Sequence, residues 1–242
     1  MTVNEILEQC TISGNVVFLP NIQLDRKLYQ DVAKKIELIG GKWDRKTKGF
    51  LFKQDPRELF EAIKNGENKN LKKEYQFFET PKELARQLVT FLELDTKTVL
   101  EPSAGQGAIV RAVNESRPQI RVSHCELMEL NRMQFVGDSE LVGEDFLALP
   151  LDFQFDAVIA NPPFAKNQDI DHFHKMLQHA RKKIICIMSN HWRFSQNKKE
   201  TAFREFLEAN QAMVLDLPAG TFKDSGTNVS ACVVVLNIAP KY

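Results

Sequence analysis

The sequence predicts an α/β fold: a parallel-rich sheet with helices on both faces, preceded by a small α/β module. Three observations predict it. From Thr80 onward strand-like and helical stretches alternate, and the run Ala157 to Ala160 is apolar without a charge, as in a strand covered on both faces. The third is a glycine-rich turn, EPSAGQG at 101–107, set between a strand and a helix. In such sheets ligands bind beyond the carboxyl ends of the strands, near the point where strand order reverses.

The first module, placed at residues 1–70, begins with a short helix over 2–10 and a strand over 15–19. Apolar residues at Leu28, Val32, Ile36 and Ile39 make 25–39 an amphipathic helix, which Gly40 and Gly41 stop. A hairpin follows over 42–52 with its turn at 44–48, then a helix over 56–64. The polar stretch 66–75 reads as a linker. The second domain, 71–242, opens on Thr80-Pro81-Lys82-Glu83, a capping box with proline at the first helical position, so a helix should run from Thr80 to Phe91. Strands are expected at 98–100, 120–125, 141–143, 157–160, 183–188, 213–217 and 230–238, with helices running toward Val113 and over 169–180 and 201–210.

Composition narrows the function classes. No apolar run nears the roughly 18–20 residues of a membrane span, and the N-terminus lacks a signal peptide's charged start and apolar block, so a cytoplasmic protein without a membrane partner is expected. Cys10, Cys125, Cys186 and Cys232 lie far apart with no metal-ligand spacing; reduced thiols and no metal are expected. The 32 basic and 32 acidic residues cancel, which argues against coating nucleic acid by charge alone. Residues 1–73 nevertheless carry a net +4 and the remainder −4, so the first module is the anion-facing part. Its hairpin interleaves Lys42, Arg45, Lys46 and Lys48 with Trp43. That composition suits phosphate contact and base stacking, and equally a solvated basic turn with Trp43 in a core.

The stretch Asp156 to Phe164, DAVIANPPF, carries the most chemistry. Pro162 and Pro163 fix their own φ, lack N–H groups and confine the residue before each to extended conformations. Asn161 therefore leaves the strand with few backbone options. Its amide oxygen and the Pro162 carbonyl can converge on one donor with two hydrogens, an amino group. In EPSAGQG, Gly105 and Gly107 let a ligand approach the backbone. The loop lacks the full dinucleotide fingerprint, with Val at 110, and the Lys-Ser/Thr of a phosphate loop. Glu101 suits a cationic group such as an ammonium. Glu126, with Glu129 as competitor, lies about 20 residues past the glycines, where an acid meets ribose hydroxyls. Asp145 and Phe146 close the next strand, able to accept from an adenine amino group and pack on its ring. Taken singly, Glu126 and Asp145 read as surface carboxylates.

The set Phe78-Glu79-Thr80-Pro81, Glu101 to Gly107, Asp145-Phe146 and Asn161-Pro162-Pro163-Phe164 resembles the S-adenosylmethionine-dependent amino-methyltransferases, in particular the DNA N6-adenine group, over about 77–238. The resemblance implies a Rossmann-like class I methyltransferase sheet whose last strand is antiparallel and inserted between its neighbours. It implies S-adenosylmethionine as cofactor, held by Phe78, Thr80 and Pro81 at the methionine portion, by Glu101, Pro102, Ser103, Gly105 and Gly107 in the loop, by Glu126 at ribose and by Asp145 and Phe146 at adenine, with Asn161 beside it. Asn161 and Pro162 would accept both hydrogens of the target amine, with Pro163 stiffening the turn and Phe164 stacking on a flipped base. Phe222, in the loop before the last strand, would help hold that base, and Trp192, in SNHWRFSQNKK at 189–199, marks a second strand-facing loop.

The implied acceptor is adenine in DNA within restriction-modification. RNA bases and the glutamine of release factors present the same conjugated amine, and a silent nucleic-acid-binding protein is a further reading. In the group it resembles, a target recognition domain usually follows the core. Here about four residues follow the last strand, so sequence reading would come from the N-terminal module, a specificity subunit or homodimer partner, or be absent.

Overall fold

The computed structural model describes residues 1–52, 55–64, 79–223, 227 and 229–239. The chain divides into two units, 1–77 and 78–242. The expected linker at 66–75, the boundary at 70 and Phe78 lie outside the described residues.

In the first unit, α1 (Val3–Gln9) is closed by a capping box: Thr2 Oγ1 accepts from the Glu5 N–H at 3.3 Å and Glu5 Oε2 accepts from the Thr2 N–H at 2.9 Å. β1 (Thr11–Ser13) and β2 (Val16–Phe18) form a hairpin across Gly14 (φ +55°) and Asn15. Only the second strand was expected. The signal that could have found the first is the two-residue Gly-Asn turn between two short β-formers. α2 (Arg26–Leu38) starts at Asp25, whose Oδ1 accepts from the Lys27 and Leu28 N–H groups, and stops at Gly40, φ +98°. β3 (Lys42–Asp44), β4 (Gly49–Leu51) and α3 (Arg57–Lys64) complete the unit. Its antiparallel sheet runs β1-β2-β4-β3, and its core gathers Ile6, Leu7, Val17, Val32, Ile36, Phe50 and Phe60.

The second unit begins with α4 (Lys82–Val89), followed by β5 (Thr98–Glu101), α5 (Ala108–Ser116), β6 (Arg121–Cys125), α6 (Glu129–Met133), β7 (Glu140–Gly143) and β8 (Phe155–Ala160). Next come α7 (Gln168–Met176), β9 (Ala180–Ser189), α8 (His191–Phe194), α9 (Lys198–Ala209), β10 (Met213–Asp216) and β11 (Ala231–Asn237). The sheet order is β10-β11-β9-β8-β5-β6-β7; β5 to β9 are parallel, and β11 runs antiparallel between β9 and β10. α7 stops short of the expected Ala180 because that residue pairs with Phe155 as the first of β9.

Strand periodicity splits the core into two layers. Val99, Ala157, Ile159, Ile185, Ile187 and Val233 pack with Leu84 and Leu88 of α4 and Ile109 and Val113 of α5. Leu100, Val158, Ala160, Ile184, Cys186 and Val234 pack with Ile170 and Phe173 of α7 and Phe203 of α9. Both faces are therefore apolar, which is why these strands read as continuous hydrophobic runs rather than alternating ones.

One local expectation is overturned. Thr80 does not cap α4: the cap position is Pro81, without a side-chain hydrogen bond. The Thr80 hydroxyl is used elsewhere, so the helix forgoes a cap that typically contributes about 0.5–2 kcal/mol.

Candidate active site

Strand order reverses at β5, with β8 on one side and β6 on the other, so the carboxyl ends of β5 and β8 lie side by side. The glycine loop leaves the first and the Asn-Pro-Pro-Phe tetrad leaves the second.

The glycine loop is laced to the end of β6. Ala104 N–H donates to Cys125 O at 3.0 Å, and Gly105 N–H to Glu126 Oε2 at 2.6 Å. Gly105 (φ +56°) and Gly107 (φ +83°) take left-handed conformations, and Gly107 starts α5. A Cβ on Gly107 would lie 2.4 Å from Val136 O. Pro102 is buried and Ser103 half-buried in the same turn.

Glu101 ends β5 at 2% exposure, with Oε2 accepting from the Val110 N–H at 3.1 Å. Burial pushes its carboxyl well above the usual range, the nearby Glu126 adds to the rise, and Arg111 opposes it. An acid with a raised folded pKa contributes stability below its ordinary value of 4.5, and that contribution is lost as pH rises through the folded pKa. Glu101→Gln keeps an acceptor for Val110 and removes the buried charge. It is expected to raise stability by about 1 kcal/mol at pH 8 and by less at pH 4, measured as Tm against pH.

Glu126, also buried, spends its carboxylate inside the protein: Oε2 takes the Gly105 N–H, while Oε1 takes the Met128 N–H at 2.8 Å and the Asn131 side chain at 3.2 Å. Burial raises its pKa against these donors. It braces the glycine loop, a role the sequence did not disclose. Asp145 is exposed beyond β7 and caps the short turn after it, Oδ1 accepting from the Leu147 N–H at 2.9 Å. Glu101, Glu126 and Asp145 thus stand at or just past the ends of three adjacent strands.

At the end of β8, Asn161 Nδ2 donates to Thr80 Oγ1 at 3.0 Å, joining the tetrad to the Thr-Pro element. Pro162 is buried; Pro163 and Phe164 are half-buried, with Phe164 against the α4–α5 layer. Lys166 and Asn167 then take successive left-handed conformations, φ +54° and +59°, which non-glycine residues adopt only when held there. The holder is Glu200 in α9, 1% exposed, whose Oε1 accepts from Asn167 Nδ2 at 2.8 Å, Ser195 Oγ at 3.1 Å and Asn197 Nδ2 at 3.2 Å. These donors, Asn197 foremost, hold its carboxyl below the usual range. Lys199 Nζ donates to Asn167 O at 3.1 Å as well. No motif in the sequence marked Glu200, because its partners come from two separate loops.

Three aromatics expected at ligands are core residues instead. Phe146, at 2% exposure, packs among His172, His179 and the α7 layer; Phe222, at 1%, fills the α4–α5 layer; Trp192, at 5%, meets Phe203 edge-on at 5.3 Å. In each case burying a large ring against the sheet outweighs display at a loop tip. The exposed aromatic after β9 is Phe194, at 76%. Lys42, Trp43, Arg45 and Lys46 all belong to the first unit, and the three cations are exposed. Trp43 is 43% exposed with one edge on Phe50, and Asp44 turns inward to accept from the Thr47 N–H and hydroxyl.

A structure from Listeria monocytogenes described as a class I S-adenosylmethionine-dependent methyltransferase superposes with a TM-score of 0.53 at 13% identity, covering 99% of this chain and 81% of that one. That likeness, together with this chain's own sheet order, in which antiparallel β11 is inserted next to the edge strand β10, decides the fold. This is a class I methyltransferase fold. The M protein of the type I restriction enzyme EcoKI shares the fold at a TM-score of 0.52 and 16% identity, over 89% of this chain and 51% of that one. In sequence, the type II methyltransferase M.AccI of Acinetobacter calcoaceticus is 32% identical over 108 residues, 41% of this chain. The chain spans about a fifth of that relative's length. No protein-family model matches. The methyltransferase resemblance read from the tetrad and the glycine loop is borne out. Among the described residues, no helix is long and apolar enough to cross a membrane.

Proposed function

We propose that the second unit transfers a methyl group from S-adenosylmethionine to the N6 amine of a flipped-out adenine in DNA. The observation that carries the reading is the placement of Asn161, anchored by Thr80, at the strand end beside the glycine loop. The residues present fit the cofactor: a left-handed glycine turn braced by Glu126 for close backbone approach, a buried carboxylate at Glu101 for a cationic group, and an exposed carboxylate at Asp145 for an amine donor. When bound, S-adenosylmethionine supplies a methyl on an electron-poor sulfonium.

The chain's own residues do the rest. An exocyclic adenine amine has its lone pair delocalised into the ring and is a poor nucleophile. Asn161 Oδ1 and the Pro162 carbonyl accept its two hydrogens, which draws the lone pair back onto nitrogen and fixes its direction. Phe164 contributes a ring face to the base. The M.AccI likeness and the type I M protein fold favour DNA as acceptor and a restriction-modification setting, with a specificity subunit or a second copy as partner. The test is transfer of tritiated methyl to DNA, RNA or release factor. Label in DNA adenine is expected; label confined to RNA or protein would overturn the acceptor.

The hairpin of the first unit fits the DNA backbone in this reading, with exposed Lys42, Arg45 and Lys46 around a half-exposed Trp43. Replacing those three cations with glutamine is expected to reduce the slope of log binding constant against log salt by about 3, on the counterion-release relation. An unchanged slope would return the hairpin to a structural role.

A further inference from the structure

We propose that Thr80 is a positioning residue for Asn161, its hydroxyl holding the amide nitrogen so that Oδ1 is the atom offered to the acceptor amine. The proposal rests on the amine-methylation reading above and gives Thr80 a task other than cofactor contact. The two prolines fix the backbone after Asn161 but not rotation of its side-chain amide, whose oxygen and NH2 ends are nearly the same size. A flipped amide would present donors to an amine that itself has only hydrogens to give, and no hydrogen bond would form.

Thr80, 6% exposed as a residue, accepts through its hydroxyl from Asn161 Nδ2 at 3.0 Å across 81 residues of chain. With the hydroxyl accepting, the nitrogen end is tied down and the oxygen lies at the opposite edge of the amide. Drawing on the N–H also polarises the amide and makes Oδ1 a stronger acceptor. A second observation points the same way. Thr80 sits where the sequence Thr-Pro-Lys-Glu should cap α4, yet the helix has no side-chain cap. A residue suited to a local bond is committed to a distant one, a conflict between local preference and tertiary structure of the kind that gathers at functional sites.

The test pairs Thr80→Val, which keeps shape and removes the hydroxyl, with Thr80→Ser, which restores it. Three quantities are read on the full chain: single-turnover methyl transfer to the acceptor found above, cofactor affinity by calorimetry, and the Asn161 side-chain amide pair by NMR, assigned by its loss in Asn161→Asp. Thr80→Val is expected to slow transfer about 10-fold at unchanged cofactor affinity, the loss of one hydrogen bond's orientation. It is also expected to speed exchange of the Asn161 amide hydrogens, with Thr80→Ser close to wild type in all three. A Thr80→Val that weakens cofactor binding and leaves the transfer rate intact overturns the proposal, as does an Asn161 amide indifferent to the substitution. If the wild-type protein methylates no acceptor, the amine-methylation reading fails, and the amide measurement by itself still decides whether Thr80 holds Asn161.

Discussion

Asn161→Ala is expected to reduce methyl transfer by about 10³-fold while leaving cofactor affinity unchanged, the scale seen when one preorganised polar group aimed at a reacting atom is removed. Two things are lost together. The amine loses one of its two acceptors, so its lone pair stays in the ring, and the Thr80 hydroxyl loses the N–H it accepts. The second loss is a structural one, worth roughly 1 kcal/mol, and appears as a modest fall in Tm. Because the glycine loop hangs on Glu126 and Val110 rather than on Asn161, cofactor titration should be indifferent to the change. Retained turnover would remove the proposed mechanism.

Gly107→Ala is expected to damage the cofactor loop most. At φ +83° an alanine is strained by about 1–2 kcal/mol before any contact is counted. Its Cβ would also stand 2.4 Å from Val136 O, which is backbone and cannot swing aside. Val136 is tied to the loop through its N–H, which donates to Gln106 O at 3.3 Å, and to α5 through its carbonyl, which accepts from Arg111 Nη1 at 3.2 Å. The clash therefore moves the turn itself. A loss of about 2–4 kcal/mol, seen as a Tm lowered by roughly 5–10 °C, should accompany weakened binding of S-adenosylmethionine in calorimetry. Gly220→Ala is the control, since φ is +80° but nothing lies within 4 Å of its Cβ. It should incur only the conformational strain and spare the cofactor.

Much of the site was legible from local signals. Apolar runs bounded by charged or turn residues placed β5, β6, β8 and β9 within a few residues, since strands covered on both faces leave no other pattern. The glycines and prolines were legible for a similar reason: a left-handed turn and a fixed φ are properties of the residue itself. Aromatic side chains were read less well. Phe146, Phe222 and Trp192 lie in a short turn, a loop and a one-turn helix, where a sequence cannot tell a ring turned inward from one turned out.

By itself the sequence determined the alternation of strands and helices, the strand-end position of the glycine loop and of Asn161, and the basic character of the first unit. Periodicity, backbone restriction and charge are all carried by neighbouring residues. Tertiary structure decided the partners. It withdrew Thr80 from α4 and gave it to Asn161, turned Glu126 back onto Gly105, and set Glu200 between two loops. It also laid β11 antiparallel between β9 and β10, as the family resemblance had implied and no local pattern could. Each of these bonds joins residues distant in the chain, and a hydrogen-bonding side chain carries no mark of which remote group will meet it until the sheet has brought the strand ends together.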